Sequence, residues 1–183
     1  MGWWRKYLVL GECMRKKPLI AVVGHGMHAK KEHMKVAEEV GKEIAKREGI
    51  VICGGHNFGI MEAVAKGARS GGGITIGIIP EDDLSKTSKY VDIPILTGIG
   101  LVRNQIISLS CDVMIVVGGG VGSLVEVAYA YRFSKPIIVI KNLGSMVEQY
   151  IGNYMDGKKT VKVIGANNAK EAVETAFKLI KSE

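Results

Sequence analysis

The sequence predicts an α/β fold: a doubly wound, mostly parallel sheet with helices on both faces. Three observations predict it. Short apolar runs of strand length alternate along the chain with longer segments of helical periodicity, the signature of right-handed βαβ crossovers. The runs are apolar throughout rather than alternating, as in strands covered on both faces. Three of them pass directly into glycine turns, after Val23, Cys53 and Val117. In such sheets the turns at the carboxyl ends of strands form the ligand crevice, so the three can converge on one site.

The elements follow in order. Leu19 to Val23 reads as a buried strand ending at Gly24. Lys31 to Arg47 has helical spacing, with Met34, Ala37, Val40, Ile44 and Ala45 on one face. Ile50 to Cys53 is a second strand, and Gly59 to Ser70 a helix stopped by Gly71-Gly72-Gly73. Ile74 to Ile79 is a third strand, ended by Pro80, with a polar loop from Glu81 to Lys89. Val91 to Leu96 is a short strand that Pro94 confines to an edge. Gly100 to Ser110 reads as helix, Val113 to Val117 as strand, Leu124 to Phe133 as helix and Ile137 to Ile140 as strand. Met146 to Tyr154 reads as a short helix, Val161 to Ile164 as a last strand and Ala169 to Ile180 as a last helix.

The chain's 183 residues suit one domain with a full core, expected over 19–183, preceded by an extension over 1–18 that holds Trp3-Trp4 and a strand at Tyr7 to Leu10. Apolar residues make up 47%, which argues against disorder. No apolar run approaches the ~20 residues of a membrane span, and the amino terminus lacks the apolar core of a signal peptide. Cys13, Cys53 and Cys111 show neither metal spacing nor an even framework, which points to a reducing, cytoplasmic setting. The net charge of +7 suits anionic ligands and equally a solvated, lysine-rich surface. His25, His28, His33 and His56 do not form a zinc set, so neither a metal nor a cofactor is expected.

The most informative stretch is Gly118-Gly119-Gly120-Val121-Gly122-Ser123-Leu124-Val125-Glu126. It joins a strand to a helix through glycines that let backbone approach a ligand. The free amides of the following turn favour an anion, usually phosphate. Ser123 is read as a hydroxyl donor to that phosphate, and Glu126 as a carboxylate acting on the attached sugar or base. Gly24-His25-Gly26-Met27-His28-Ala29 matches the dinucleotide pattern, but the acidic residue expected after the second strand is replaced by Gly54-Gly55, which argues against NAD. Gly24 and Gly26 then serve as one wall of a mononucleotide site. Gly54 to Gly59 is a further turn of this kind, with Asn57 a candidate cap. Arg103 has apolar neighbours (Leu101, Val102, Ile106, Ile107) and cannot shed its charge, so it needs an anionic partner, either a phosphate or Glu126.

Taken together, Gly54-Gly55 to Met61, Arg103-Asn104 and Gly119 to Glu126 resemble the Lonely Guy group of Rossmann-like proteins, once labelled "possible lysine decarboxylases". The resemblance runs from about Leu19 to Ile140. The family pattern reads G-G-x-x-x-G-L-M, then R-K, then P-G-G-x-G-T-x-x-E. Characterised members are phosphoribohydrolases that cut the N-glycosidic bond of nucleoside 5′-monophosphates to free base and ribose 5-phosphate. The resemblance implies Arg103 and Glu126 as the catalytic pair. It implies Gly119, Gly120, Gly122 and Ser123 as phosphate holders, and Gly55 and Gly59 as the facing wall. It also implies a homodimer or larger assembly with the site near the subunit contact. No lysine is marked to hold pyridoxal phosphate.

Four positions depart from the pattern. Gly118 replaces the proline, Ser123 the threonine, Asn104 the lysine, and Val125 the acid common before the final Glu. They place the chain in a divergent branch, near DNA-processing-protein-related and molybdenum-cofactor-carrier-like relatives. The expected ligand is AMP or a similar monophosphate. Glycoside hydrolysis usually needs a second group to protonate the leaving group, and only His25 or His56 is within reach of that role. The alternative is a non-catalytic nucleotide sensor or a carrier of a phosphate-bearing pterin, the molybdenum cofactor. Single-stranded DNA binding ranks last, because aromatic residues are only 6% of the chain and few flank its Lys and Arg clusters.

Overall fold

The computed structural model describes residues 17–181. Seven parallel strands form one sheet in the order β4-β3-β2-β1-β5-β6-β7. They are β1 Leu19–Gly24, β2 Ile50–Cys53, β3 Ile74–Ile79, β4 Ile93–Leu96, β5 Val113–Val117, β6 Ile137–Ile140 and β7 Val163–Ala166. Four helices connect strands, α1 Lys31–Lys46, α2 Gly59–Ser70, α3 Arg103–Ser110 and α4 Val121–Arg132, and α5 Ala169–Lys181 follows the last strand. The order reverses beside β1, so the switch point lies between β1 and β5, registered from Ile20↔Val113 to Gly24↔Val117. A crevice must open there, because the connections leave β1 and β5 in opposite directions.

The doubly covered sheet explains its composition. Within β1 and β5, alternate residues enter opposite cores. Ile20, Val22, Val113, Ile115 and Val117 pack with α1, α2 and α5. Ala21, Val23, Met114 and Val116 pack with Ile107 of α3 and Val127, Ala130 and Tyr131 of α4. Period-two alternation of side chains thus demands apolar residues at every position. Cys53 and Cys111 are free and fully buried, as small apolar residues beside strands. Burial pushes their thiols up to about 11 and about 12.

The element reading holds, with differences that have local causes. The segment before α3 is a 3-10 turn over Gly100–Val102. Helix α4 starts at Val121, three residues before the expected Leu124, because Gly120 takes the N-cap position. Asn57 does not cap α2. Phe58 is the N-cap residue, and the Asn57 amide donates to Lys86 O at 2.8 Å. The expected helix over Met146 to Tyr154 reduces to a 3-10 turn at Glu148–Tyr150. There the Glu148 carboxylate accepts the amides of Asn142, Leu143 and Ser145, at 3.0, 3.1 and 3.0 Å, and ties the segment back on itself. The last strand is shifted to Val163–Ala166, in register with Ile137–Ile140. β4 is the edge strand that Pro94 requires, and all four of its residues are exposed. The expected strand at Tyr7 to Leu10, Trp3-Trp4 and Cys13 lie outside the described residues. No described helix is long and apolar enough to cross a membrane.

Candidate functional site

A cavity of about 150 Å³ opens at the switch point. It is lined by Val22, Val23, Gly24, Gly54, Met61, Leu101, Arg103, Asn104, Gly122, Ser123 and Glu126. These residues come from the carboxyl ends of β1 and β2 and the amino-terminal turns of α2, α3 and α4, segments far apart in sequence. A larger depression of about 710 Å³, lined by Lys17, Arg47, Glu48, Glu174, Phe177 and Lys178 among others, lies at the opposite end of the strands. It contains no glycine turn and no buried polar atom lacking a partner, so the chemistry belongs to the smaller cavity.

Of the glycine turn, Gly122 and Ser123 line the cavity, whereas Gly119 and Gly120, expected to hold the phosphate, are not among its lining residues. Gly118 and Gly119 leave β5 at φ 65° and 114°, and Gly120 caps α4. The amides of Val121, Gly122 and Ser123 precede the first intrahelical bond, from Leu124 N–H to Gly120 O at 3.0 Å, so they have no partner within the helix. A β-carbon on Gly119 would overlap the Ser123 side chain, whereas at Gly120 and Gly122 it would meet open space. Gly119 is therefore required by the backbone, and of the other two Gly122 lines the cavity. The Ser123 hydroxyl donates to Gly24 O at 3.0 Å, pinning the β1 turn to α4. To bind a phosphate, as expected of it, that hydroxyl must leave the carbonyl.

Two ionisable side chains enter from the walls. Arg103 opens α3 and is only 6% exposed. Its Nε and Nη1 are buried without hydrogen-bond partners, and Nη2 approaches only Met61 Sδ, at 4.0 Å. Burial lowers the guanidinium pKa, and the field of Glu126 pulls it back up; it stays charged at any physiological pH. Glu126, one turn into α4, is 9% exposed. Burial pushes its carboxyl up to about 7, against the opposing pull of Arg103. The two groups feel each other yet form no ion pair. A buried guanidinium with two unmet donors beside a half-ionised carboxyl is ready to receive an anionic ligand.

The other expected residues stand behind the cavity or beside it. Gly26, Gly55 and Gly59 do not line it. Gly59 packs on the carbonyls of His25 and Gly26, and Gly55 on Gly77 and Ile79 of β3, so both support the wall from behind. Gly24 lines the cavity. His25 lies against Gly118 and stacks on His33 with ring centroids 4.8 Å apart. Burial first, then His33, His28 and Lys30, lowers its pKa. His56 holds Glu81 at 2.9 Å. Neither histidine lines the cavity.

Sequence reasoning left Gly54, Met61, Leu101 and Asn104 without a site role. Gly54 leaves the space in which Arg103 lies, because a β-carbon there would overlap the guanidinium and crowd Met61 Sδ. The double glycine after β2 was visible in the sequence; that its first member faces an arginine 49 positions on was not.

Comparison with known proteins identifies the family. A model of the SLOG cluster4 family matches residues 17–173. An uncharacterized protein of Archaeoglobus fulgidus is 41% identical over 123 residues, 67% of this chain and 79% of its own length. A cytokinin riboside 5′-monophosphate phosphoribohydrolase of Mycobacterium tuberculosis is 35% identical over 121 residues, 62% of this chain and 65% of that enzyme, just under two thirds. Among solved structures, the molybdenum cofactor binding protein of Rippkaea orientalis superposes with a TM-score of 0.83 at 36% identity, covering 92% of this chain and 99% of its own. The match runs unbroken from the residues before β1 into α5 and takes in every wall of the cavity: the chain belongs to the SLOG cluster4 family, a Rossmann-like relative of the Lonely Guy proteins.

Proposed function

We propose that the protein is a nucleoside 5′-monophosphate phosphoribohydrolase, cleaving AMP or a similar nucleotide with water to free base and ribose 5-phosphate. The observation that carries this reading is the pair Arg103 and Glu126, buried in one cavity with two guanidinium nitrogens unmatched. The phosphate lies on the amides of Val121, Gly122 and Ser123. Breaking the N-glycosidic bond builds positive charge on the ribose. The Glu126 carboxylate faces that charge and orients the water whose oxygen bonds to the anomeric carbon. The base departs with the bonding electron pair and takes a proton that ultimately derives from that water. Arg103 neutralises the phosphate or the departing base. The likeness to the mycobacterial phosphoribohydrolase supports the assignment.

Base release from AMP, followed by chromatography, tests it. Arg103→Ala and Glu126→Ala each lower turnover by at least a hundredfold, on the scale of losing a charge that acts in the transition state. Because Glu126 acts ionised and its carboxyl is raised to about 7, turnover rises with pH through neutrality. Equal turnover in the variants rejects the assignment.

A second reading, a carrier of the molybdenum cofactor, is favoured by the near-complete superposition on the molybdenum cofactor binding protein. The same amides would hold the pterin's phosphate. The variants separate the two readings, since a carrier retains its ligand in Glu126→Gln whereas a hydrolase loses its activity.

We also propose that the protein acts as a homodimer. Leu101, Val102 and Leu109 beside and on α3, with Val121 and Val125 on α4, form an exposed apolar face around the cavity mouth. A second copy covering that face would deepen a cavity that alone is too small for a whole nucleotide.

A further inference from the structure

We infer that Asn104 selects ribonucleotides over 2′-deoxyribonucleotides by holding the 2′-hydroxyl; the inference rests on the nucleotide reading of the site. Asn104 follows Arg103 in the first turn of α3, is 7% exposed and lines the cavity with Gly122, Ser123 and Glu126. Its Oδ1 is buried with no hydrogen-bond partner. A buried acceptor left unmet is costly, and folded proteins rarely tolerate one without a purpose. Among the described residues no donor reaches it. The Ser108 hydroxyl is held between the backbone carbonyls of Asn104 and Glu126, each at 2.9 Å. The Ser123 hydroxyl is bound to Gly24 O, and the Arg103 nitrogens lie elsewhere, against Gly54 and Met61. A donor group of a ligand in the cavity would meet it.

Three features identify that donor as a sugar hydroxyl next to the anomeric carbon. A volume of about 150 Å³ takes a pentose ring and not a pentose with its base. Glu126, which faces the anomeric carbon in the proposed reaction, lines the cavity together with Asn104. The part of the nucleotide that reaches them is therefore the side of the ring remote from C5′, which carries the 2′-hydroxyl. A carboxamide can also turn end for end, and a hydroxyl, which both donates and accepts, satisfies it either way. A keto group cannot meet Oδ1. The Lonely Guy pattern has a cationic lysine here; the neutral amide replaces charge with hydrogen-bond reading.

The test uses ribose 5-phosphate and 2-deoxyribose 5-phosphate, which lack a glycosidic bond to a base and cannot turn over. Their dissociation constants are measured by calorimetry on the full chain, wild type, Asn104→Ala and Asn104→Asp. Wild type binds the ribose form on the order of ten- to a hundredfold more tightly, the scale set by leaving a buried polar group unpaired. Asn104→Ala brings the ratio close to one, and Asn104→Asp, which still accepts, keeps it. A purely structural role would weaken both sugars equally and leave the ratio unchanged in Asn104→Ala, which overturns the inference. A wild-type ratio near one overturns it as well, and decides the matter even if the alanine variant does not fold. If AMP and ribose 5-phosphate bind regardless of the 2-hydroxyl, only this inference falls. If neither they nor inorganic phosphate bind at all, the nucleotide reading falls and takes this inference with it.

Discussion

Gly54 contributes no side chain, yet its missing β-carbon is what lets the Arg103 guanidinium lie buried. Gly54→Ala collides with the far ends of two flexible side chains, Arg103 and Met61, and with no backbone. Arg103 is therefore displaced at little cost to the fold. We expect Gly54→Ala to lose base release nearly as fully as Arg103→Ala, while urea melts show a stability loss of about 1 kcal/mol or less. A large stability loss with activity retained sinks this account. Glu126 makes the opposite statement about stability. Its folded-state pKa of about 7 stands above the ordinary 4.5, so between those values the folded protein holds a proton that the unfolded chain releases. The stability this gives is complete below about 4.5 and is lost as pH rises through 7. Glu126→Gln removes the dependence. Its stability relative to wild type therefore improves from pH 5 to pH 8, by an amount on the order of 3 kcal/mol at most, and thermal melts at the two pH values check this. The sequence marked Arg103 as a charge in apolar company needing an anion, and Glu126 as a carboxylate acting on the sugar or base beside the glycine turn. It did not show that they share a cavity without touching, because their separation depends on how α3 packs on α4.

At the scale of elements, the start of α4 matters most. Gly118-Gly119-Gly120 turns the chain so that Val121 begins the helix and its first amides face the crevice. A side chain at Gly119 must adopt φ 114° and would overlap Ser123. Gly119→Ala should cost about 1–3 kcal/mol and break the Ser123 bond to Gly24. In a thermal-shift comparison, AMP should stabilise the wild type and adenosine should not, and the AMP effect should vanish in Gly119→Ala. Equal shifts for AMP and adenosine count against phosphate on this turn. The glycines, the strand before them and the helix after them were legible. The starting residue was not, since Val-Gly-Ser has weak helix propensity and only the capping geometry of Gly120 recruits it. The reduction of the Met146 to Tyr154 segment has a similar origin: the Glu148 carboxylate satisfies loop amides that a continuing helix would have left to solvent.

For the whole molecule, the apolar face around the cavity mouth makes the assembly testable. Val102, Ile106 and Leu109 share one side of the α3 region, and Val121 and Val125 stand one turn apart on α4. Light scattering coupled to size exclusion should give a dimer or larger assembly, and Leu109→Glu with Val125→Glu should shift it toward monomer and lower turnover. A wild-type monomer at micromolar concentration removes the dimer proposal.

The sequence by itself determined the kind of architecture, the edge position of β4 and the glycine turns at the strand ends. These follow from local rules: apolar runs covered on both faces, a proline that cannot donate to a ladder, and backbone freedom without a β-carbon. Only the tertiary structure decided which residues meet. The strand order brings β1 and β5 together, seats the Arg103 guanidinium over Gly54, leaves Asn104 Oδ1 unmatched and keeps His25 and His56 out of the cavity lining. Those outcomes depend on packing between segments remote in the chain, and burial, which no local pattern encodes, pushes the Glu126 carboxyl up against the opposing pull of Arg103.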